Sequence, residues 1–302
     1  MMPDALVWPR FADYRQHVDE LVSAAVTAAD PQAAVAAFLR REGRTLCVGR
    51  GAEAEALELD KGRVFVVAAG KASIPMTVAA MAVLGEFDLY IQLRELDAGG
   101  LAGTKAFLEA LAETRPDDAV RCLISGGASA LLTQPLLPLE DWRKLVEVFL
   151  RSGCTIGELN AMRRAIDRIK AGGLARACAP ATCYGLILSD VVGNPLPVIG
   201  GGPTVPEEDL VVGAAAVLGR YDIARQLEKE EWQRLALALN QARYLHKAAR
   251  PSVRNFIVGD VRVAATAALV TAIRLGFVGQ LLTAHLDGEA RDIGRLAAGI
   301  AR

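Results

Sequence analysis

Two short segments have the composition of anion-binding turns. Residues 70–73 read Gly-Lys-Ala-Ser and residues 125–129 read Ser-Gly-Gly-Ala-Ser, and each follows an apolar run. Glycine permits a tight turn, and the N–H groups of such a turn, or of a helix N-terminus, bind phosphate or carboxylate oxygens. Lys71 would add a positive charge there. A Walker A motif is excluded, because Phe65 stands where that motif requires glycine.

A carboxylate follows a third apolar run. Residues 189–194 read Ser-Asp-Val-Val-Gly-Asn, and Asp190 at the end of a strand suits a Mg²⁺ ligand or a general base. The stretch 200–206, Gly-Gly-Gly-Pro-Thr-Val-Pro, is too rich in glycine and proline for regular structure and predicts a shaped loop beside that strand end. Each segment also fits a plainer interpretation, namely a capped helix with a solvated Lys71, a tight turn or a rigid connector.

A predicted helix over residues 156–169 carries polar residues at helical spacing. They are Asn160, Arg163, Asp167 and Lys170, at positions i, i+3, i+7 and i+10. This spacing predicts one shared face, which would hold an anionic substrate. The same pattern is typical of a solvated face with an ordinary ion pair, and spacing alone favours that interpretation.

Apolar runs predict the strands that position these segments. Four lie at 64–68, 120–124, 184–188 and 255–258, with a fifth candidate at 280–283. Helices are expected between them, at 13–29, 31–41, 73–84, 101–113, 139–151, 156–169, 209–218, 261–275 and 289–301. This alternation is typical of an α/β protein with a parallel, Rossmann-like sheet and helices on both faces. Ligands bind at the carboxyl ends of such strands, where the polar segments are expected to meet.

The composition excludes several classes of protein. The 302 residues allow one or two domains, and a formal net charge of -1 argues against a nucleic-acid-binding surface. The longest uncharged apolar stretch, 72–84, is shorter than the ~20 residues that cross a bilayer, so no membrane span is expected. Residues 1–10 lack a signal-peptide pattern. The five cysteines and three scattered histidines predict buried reduced thiols in a cytoplasmic protein, without a zinc site.

Five motifs occur in an order that resembles a known family. They are residues 67–72, residues 123–127, Asn160 with Arg163 and 169–170, residues 186–193, and residues 202–206. Together they resemble the glycerate 2-kinase family, whose C-terminal part is the MOFRL domain. The pair Leu-Ser-Asp-Val-Val-Gly and Gly-Pro-Thr-Val-Pro is the most specific part of the resemblance. Residues 255–263 and 286–291 are also similar to this family.

The resemblance implies ATP- and Mg²⁺-dependent phosphorylation of D-glycerate at its 2-hydroxyl, in a cleft between two α/β domains. It implies catalytic roles for Lys71, Arg163 and Asp190, with Asp190 binding the metal or accepting the hydroxyl proton. The implied cofactor-binding residues are Gly70, Ser125, Gly126, Gly127, Ser129 and Asn194. The implied substrate-binding residues are Asn160, Lys170 and Thr204. Such a site fits phosphoryl transfer, which depends on positioning and charge neutralisation.

The sequence departs from the family pattern at several positions. Residues 90–104 contain no Gly-His-Pro-Val-Pro-type loop, and Ala128 replaces the third glycine of a Ser-Gly-Gly-Gly turn. Ala165 and Asp167 replace a histidine and a serine, and residues 259–262 read Gly-Asp-Val-Arg where the family has Gly-Ser-Asn-Arg. The chain ends at residue 302, before the glycine-rich MOFRL segments. We therefore expect residues 1–250 to form a glycerate kinase N-terminal-type domain and residues 251–302 an incomplete second α/β domain.

Three functions are compatible with these motifs. The first is a glycerate 2-kinase completed by a separate MOFRL-like chain. The second is a catalytically inactive relative that serves as a binding or assembly subunit. The third is an enzyme acting on another small acid. A dinucleotide oxidoreductase is disfavoured, because no Gly-x-Gly-x-x-Gly follows a strand. An incomplete second domain would bury little apolar area alone, which predicts a homo-oligomer or a MOFRL-like partner.

Overall fold

A parallel sheet forms the centre of the structure, a computed structural model that describes residues 11–58, 62–85, 88–92, 98–247, 252–286 and 288–300. Its strands are β4 (Val64–Ala69), β5 (Asp88–Gln92), β6 (Ala119–Ile124), β7 (Thr182–Leu188) and β8 (Val253–Gly259), in the spatial order β5-β4-β6-β7-β8. A separate antiparallel sheet contains β1 (Leu39–Glu42), β2 (Thr45–Val48) and β3 (Glu55–Glu58). Every residue of β4 and β6 is buried, as expected for strands covered on both faces.

Helices surround the parallel sheet. They are α1 (Phe11–Ala28), α2 (Pro31–Ala36), α3 (Ser73–Leu84), α4 (Ala98–Leu111), α5 (Ala128–Leu131), α6 (Leu139–Arg151), α7 (Ile156–Ala165), α8 (Gly173–Cys178), α9 (Leu210–Arg220), α10 (Lys229–Lys247), α11 (Val261–Arg274) and α12 (Ala290–Ile300).

Alternate residues of β4 enter two different hydrophobic cores, because successive side chains of a strand point to opposite faces. Phe65 and Val67 pack with residues of α4 and α8. Val66 and Ala68 pack on the other face, with residues of α3 and β2. A third core joins α6, α7, α9 and α10. The expected α/β class, with a parallel sheet and helices on both faces, is confirmed.

The four predicted strands at 64–68, 120–124, 184–188 and 255–258 are confirmed as β4, β6, β7 and β8. The predicted strand at 280–283 is wrong, because these residues have no regular structure and Leu281 and Leu282 are exposed. The predicted helix over 31–41 is too long. It ends at Ala36, because the residues from Leu39 onward form β1, which pairs with β2. Strand β5, the antiparallel sheet and α10 were not predicted from the sequence.

The predicted helix over 156–169 is too long, because α7 ends at Ala165. Asp167 then turns inward, and its buried carboxylate accepts hydrogen bonds from the N–H groups of Ile169 at 2.8 Å and Gln134 at 3.1 Å. These bonds hold a loop that a continuing helix could not form. The predicted four-residue helix face is therefore wrong, since only Asn160 and Arg163 lie on α7.

The first described residues after position 250 extend the sheet. Strand β8 pairs in parallel with β7, and α11 packs on α1, where Arg274 lies 3.7 Å from Glu20. The division into units 1–250 and 251–302 stays a prediction. Residues 1–10, 93–97 and 287, which belong to segments discussed above, lie outside the described residues. Among the helices that the structure describes, none is both long and apolar enough to cross a membrane.

Candidate active site

The carboxyl ends of four parallel strands meet at one edge of the sheet. Strand β4 leads into Gly70, β6 into Ser125, β7 into Ser189 and β8 into Asp260. After β4 the chain continues to β5 at one edge of the sheet, whereas after β6 it continues to β7 in the direction of the opposite edge. The crevice between the ends of β4 and β6 is thus a topological switch point, the usual ligand position in open α/β sheets.

Hydrogen bonds join the two turns at this crevice. The N–H of Lys71 donates to the carbonyl oxygen of Gly126 at 2.8 Å, and the N–H of Ala72 donates to Ser125 Oγ at 3.1 Å. Gly70 has φ +116°, and a Cβ atom there would lie 2.3 Å from Ser125 Oγ and 2.5 Å from its carbonyl oxygen. Only glycine fits this close approach, so the two turns form one main-chain unit.

Lys71 and Asp190 contact the two adjacent glycines of the second turn. A Cβ atom on Gly126 would lie 2.1 Å from Asp190 Oδ2, so this carboxylate rests directly on the glycine. A Cβ atom on Gly127, which has φ +86°, would lie 3.4 Å from Lys71 Cγ. Both charged side chains are exposed. A cation and a carboxylate therefore flank a glycine turn that opens to solvent.

A second group of predicted residues converges on Ser129, immediately beyond this turn. Arg163 Nη2 donates to the carbonyl oxygen of Ser129 at 3.0 Å, and Lys170 Nζ donates to the same oxygen at 2.7 Å. Arg163 Nη1 also donates to Asn160 Oδ1 at 3.3 Å. Lys170 further donates to the carbonyl oxygen of Leu132 at 3.2 Å. These cations fix the short helix α5 and hence the position of the glycine turn.

Burial changes the proton affinity of both cations. It lowers the pKa of Lys170 to about 8, because the ammonium is only 1% exposed, and the Asp167 carboxylate opposes this effect. It also lowers the pKa of the partly buried Arg163. Lys170 therefore acts as a buried support in this structure, and its direct contact with substrate stays a prediction.

Asn194 and Thr204 make their hydrogen bonds with residues outside the glycine turn. Asn194, at φ +53°, donates through Nδ2 to Asp260 Oδ2 at 2.6 Å. Thr204 is fully buried, and its carbonyl oxygen accepts a hydrogen bond from Asn255 Nδ2 at 3.0 Å. Their proposed ligand contacts stay predictions, but both residues shape the wall below the ends of β7 and β8.

Two further residues belong to this edge and were not assigned as site residues by sequence. Asp260 accepts the bond from Asn194 and also caps α11, because its Oδ1 accepts from the N–H of Val263 at 3.1 Å. The strand-end rule that selected Asp190 applies equally to Asp260 after β8. His285 lies beside Gly193, where a Cβ atom would be 3.7 Å from His285 Cδ2. No sequence signal marks this histidine, since it approaches from an irregular segment.

Asp190 is the carboxylate at this edge best placed to bind a cation, since it is exposed, whereas Asp260 is engaged by Asn194 and by its helix cap. Mg²⁺ commonly binds through one or two protein carboxylates together with substrate phosphates. Within the described residues, the one group of three or more metal-type ligands is a buried cysteine cluster elsewhere in the core. A magnesium ion at this crevice would therefore need oxygens from its ligand.

The fold and the crevice define an α/β domain in which two glycine turns, a lysine and a carboxylate meet at the topological switch point. The chain belongs to the family described as a domain of unknown function, DUF4147, which matches residues 17–236. The glycerate 2-kinase of Pyrococcus horikoshii is 32% identical over 93% of this chain and 68% of its own length. The motif-based resemblance is thereby confirmed.

Two other relatives extend this comparison. The crystal structure of glycerate kinase from Thermotoga maritima matches with a TM-score of 0.74 at 27% identity, covering 96% of this chain and 69% of that one. A protein of Agrobacterium vitis named as a hydroxypyruvate reductase is 34% identical over 95% of this chain and 65% of its own length. The chain spans between 62% and 68% of the length of its bacterial and archaeal relatives, and between 36% and 48% of the length of the mammalian glycerate kinases it matches.

Proposed function

We propose that this chain forms the phosphate- and substrate-binding part of a glycerate 2-kinase, which phosphorylates D-glycerate at the 2-hydroxyl with ATP and Mg²⁺. The observation that supports this most directly is the placement of Lys71 and Asp190 on the glycines of one strand-end turn. The kinase names of the relatives from Pyrococcus horikoshii and Thermotoga maritima support the reaction and the substrate.

The residues present fit a phosphate group and a divalent cation. Gly127 has the left-handed conformation directly before α5, the arrangement in which successive N–H groups form a concave anion site. Lys71 adds a positive charge beside this turn. Asp190 presents an exposed carboxylate next to it, which is the type of ligand that Mg²⁺ prefers. ATP would supply the phosphoryl group, and Mg²⁺ would neutralise charge on the phosphates.

Each residue of the crevice has a separate role in the proposed reaction. Lys71 offsets negative charge at the turn. Asp190 either holds the cation or accepts the proton of the 2-hydroxyl, and both roles need its carboxylate to be accessible. Arg163 uses N–H groups on Ser129 and Asn160, and a guanidinium has five donors, so others remain for the glycerate carboxylate. Preorganised charges of this kind provide most of the catalysis in phosphoryl transfer.

The other wall of the crevice is proposed to come from a MOFRL-like chain or a second copy. Relatives named as glycerate kinases are longer than the region that this chain matches. A crevice closed on one side does not exclude water from the reacting groups, which weakens charge stabilisation. We also propose a cytoplasmic location, which is supported by the five cysteines being free thiols.

The alternative is an inactive family member that binds ligands or assembles with another subunit. The observation that favours it is the replacement of family residues by Ala165, Asp167 and Asp260. Asp167 is buried and fully engaged by hydrogen bonds, which makes it a structural residue here.

The test is direct measurement of 2-phosphoglycerate formation from D-glycerate and Mg·ATP, with the chain alone and with a MOFRL-like chain. Enolase distinguishes the product, because it consumes 2-phosphoglycerate and not the 3-phosphate. We expect turnover that Lys71→Ala and Asp190→Asn each reduce by at least 100-fold. Lys105→Ala and Asp117→Asn are matched controls, since both side chains are exposed and distant from the crevice.

Each outcome separates the candidates. Turnover abolished by Lys71→Ala excludes the inactive subunit. Absence of turnover in both conditions, together with Mg·ATP binding lost in Lys71→Ala, favours the binding subunit and overturns the kinase. Oxidation of NADH or NADPH by hydroxypyruvate, with no phosphoryl transfer, would instead favour the activity named for the Agrobacterium relative.

A further inference from the structure

Three cysteines that are far apart in the sequence meet in the hydrophobic core. Cys122 lies on β6, Cys183 on β7 and Cys178 at the end of α8, and all three are fully buried. Their sulfur atoms all lie within 4.8 Å of one another, and Cys122 Sγ is 3.6 Å from Cys183 Sγ. The sequence predicted buried reduced thiols, but it did not predict this cluster.

The geometry of the strands argues against a disulfide between the closest pair. Cys122 is opposite Gly185, and Cys183 is opposite Val120, so the two cysteines are diagonal neighbours two positions apart. Neighbouring strands lie about 4.8 Å apart and a parallel strand rises about 3.3 Å per residue, so such neighbours have Cα atoms roughly 8 Å apart, whereas a disulfide needs less than about 7 Å. The sulfur atoms can face a common point, but the main chain does not bring them to bonding distance without moving.

The spacing of the sulfur atoms suits a shared ligand better than a bond. A metal ion at about 2.3 Å from three thiolates in a plane places the sulfur atoms about 4 Å apart. The separations here, from 3.6 Å to at most 4.8 Å, bracket that distance. A metal ion at the centre would therefore require only small side-chain movements.

We infer that Cys122, Cys178 and Cys183 form a three-coordinate thiolate site for a soft cation of the copper(I) class. Soft thiolate ligands select such cations. A structural zinc ion normally has four protein ligands, and within the described residues no histidine, carboxylate or fourth cysteine joins the group. Binding converts three thiols to thiolates and releases three protons to solvent. The oxidation state of the ion does not change, so no oxidant or reductant is consumed.

A buried cation lies on the opposite face of the sheet from this site. Arg121 precedes Cys122 on β6 and is fully buried, and it stacks at 4.2 Å on Tyr184, which belongs to the other core. Among the described residues its guanidinium has no hydrogen-bond partner. A copper(I) ion with three thiolates carries a charge of −2, which the positive charge of Arg121 offsets in part across the sheet.

The experiment is an anaerobic competition between the full chain and bicinchoninate for copper(I). We expect one equivalent to be withdrawn, with X-ray absorption showing three sulfur ligands. Cys122→Ser, Cys178→Ser and Cys183→Ser are each expected to weaken binding at least 100-fold. Cys47→Ser and Cys154→Ser are the matched controls and should bind like the wild-type chain, because both residues lie outside the cluster.

Several results would overturn this site. The first is that the folded chain withdraws no copper(I), even after refolding in the presence of the ion. The second is that binding is lost only in the Cys47 or Cys154 variants. The third is that the urea-unfolded chain binds copper(I) with the same affinity as the folded chain. Tighter binding of zinc than of copper(I) would also contradict it. Should a cluster variant fail to fold, the stoichiometry and sulfur count of the wild-type chain still decide the question.

Discussion

Arg163 and Lys170 donate to one and the same acceptor, the carbonyl oxygen of Ser129, at 3.0 and 2.7 Å. One cation reaches this oxygen from helix α7 and the other from the loop that follows it. Charge-assisted hydrogen bonds are stronger than neutral ones, so this shared oxygen anchors α5 behind the glycine turn. The shape of the crevice therefore depends on residues that do not line it.

The buried ammonium of Lys170 should make stability depend on alkaline pH. Its pKa is about 8 in the folded chain and about 10.4 when unfolded. Between these values the unfolded chain binds more protons, so stability rises with pH. We expect the free energy of unfolding of the wild-type chain to gain about 3 kcal/mol, relative to Lys170→Met, between pH 7.5 and 10.5.

Urea denaturation of both proteins at several pH values measures this difference. Other titrating groups are common to the two chains and cancel in the comparison. Parallel pH profiles for wild type and Lys170→Met would show that this lysine is not desolvated in the folded state.

Two glycine substitutions should separate folding from ligand binding. At Gly70, an added Cβ meets the Ser125 carbonyl oxygen at 2.5 Å and φ is +116°, so Gly70→Ala should lose about 1–3 kcal/mol of stability or more. At Gly126, the nearest atoms belong to the movable end of Asp190. Gly126→Ala should therefore stay within about 0.5 kcal/mol of wild type and yet bind Mg·ATP at least tenfold more weakly.

Urea denaturation and calorimetric titration with Mg·ATP give the two measurements. Equal losses of stability in both variants would contradict this separation. Unchanged Mg·ATP affinity in a folded Gly126→Ala variant would show that the position of Asp190 does not matter for the ligand.

Asp260 performs two tasks that two substitutions can distinguish. Asp260→Ser keeps a side-chain oxygen for the cap of α11 and removes the bond to Asn194, whereas Asp260→Ala removes both. Loss of the cap should cost roughly 1 kcal/mol. We therefore expect Asp260→Ala to be less stable than Asp260→Ser, and both to show faster amide exchange in the loop that contains Asn194. If amide exchange becomes faster only in α11, the hydrogen bond between Asn194 and Asp260 does not stabilise the loop that contains Asn194.

Arg121 is expected to oppose folding in the metal-free chain. Burial lowers the pKa of its guanidinium to about 10, and no hydrogen bond from the part of the chain that the structure describes compensates the charge. Stacking of the guanidinium on Tyr184 stabilises the folded chain by only ~2 kcal/mol. We expect Arg121→Met to raise the free energy of unfolding by about 1–3 kcal/mol, as for other buried charges replaced by apolar residues. Thermal or urea denaturation checks this, and a loss of more than ~1 kcal/mol would refute it. The same variant should weaken copper(I) binding.

Sequence reasoning located the strand-end site because parallel strands bring their carboxyl ends to one edge. It could not place Asp167 and Lys170 correctly, since neither glycine nor proline marks the end of α7 at Ala165. It missed β5 because Asp88–Gln92, an edge strand, has only the three residues Leu89 to Ile91 between its polar ends, which is too short an apolar run to stand out. The exposed charges of Leu39–Glu42 are equally compatible with a helix, and only pairing with β2 makes them a strand. The cysteine cluster depends on three separate elements and leaves no local pattern.

The hydrogen bonds from the main chain of Lys71 and Ala72 to the second turn determine which residues of the crevice can be substituted without altering its shape. Among the described residues, the floor of the crevice consists of main chain held by main chain, with Ser125 as its side-chain link. Side chains supply the walls, at positions such as Asp190 and Asn194. Under the proposed function Asp190 acts in the reaction and has to be kept, whereas we expect exchanges at other wall positions to change which hydroxy acid is accepted without rebuilding the floor.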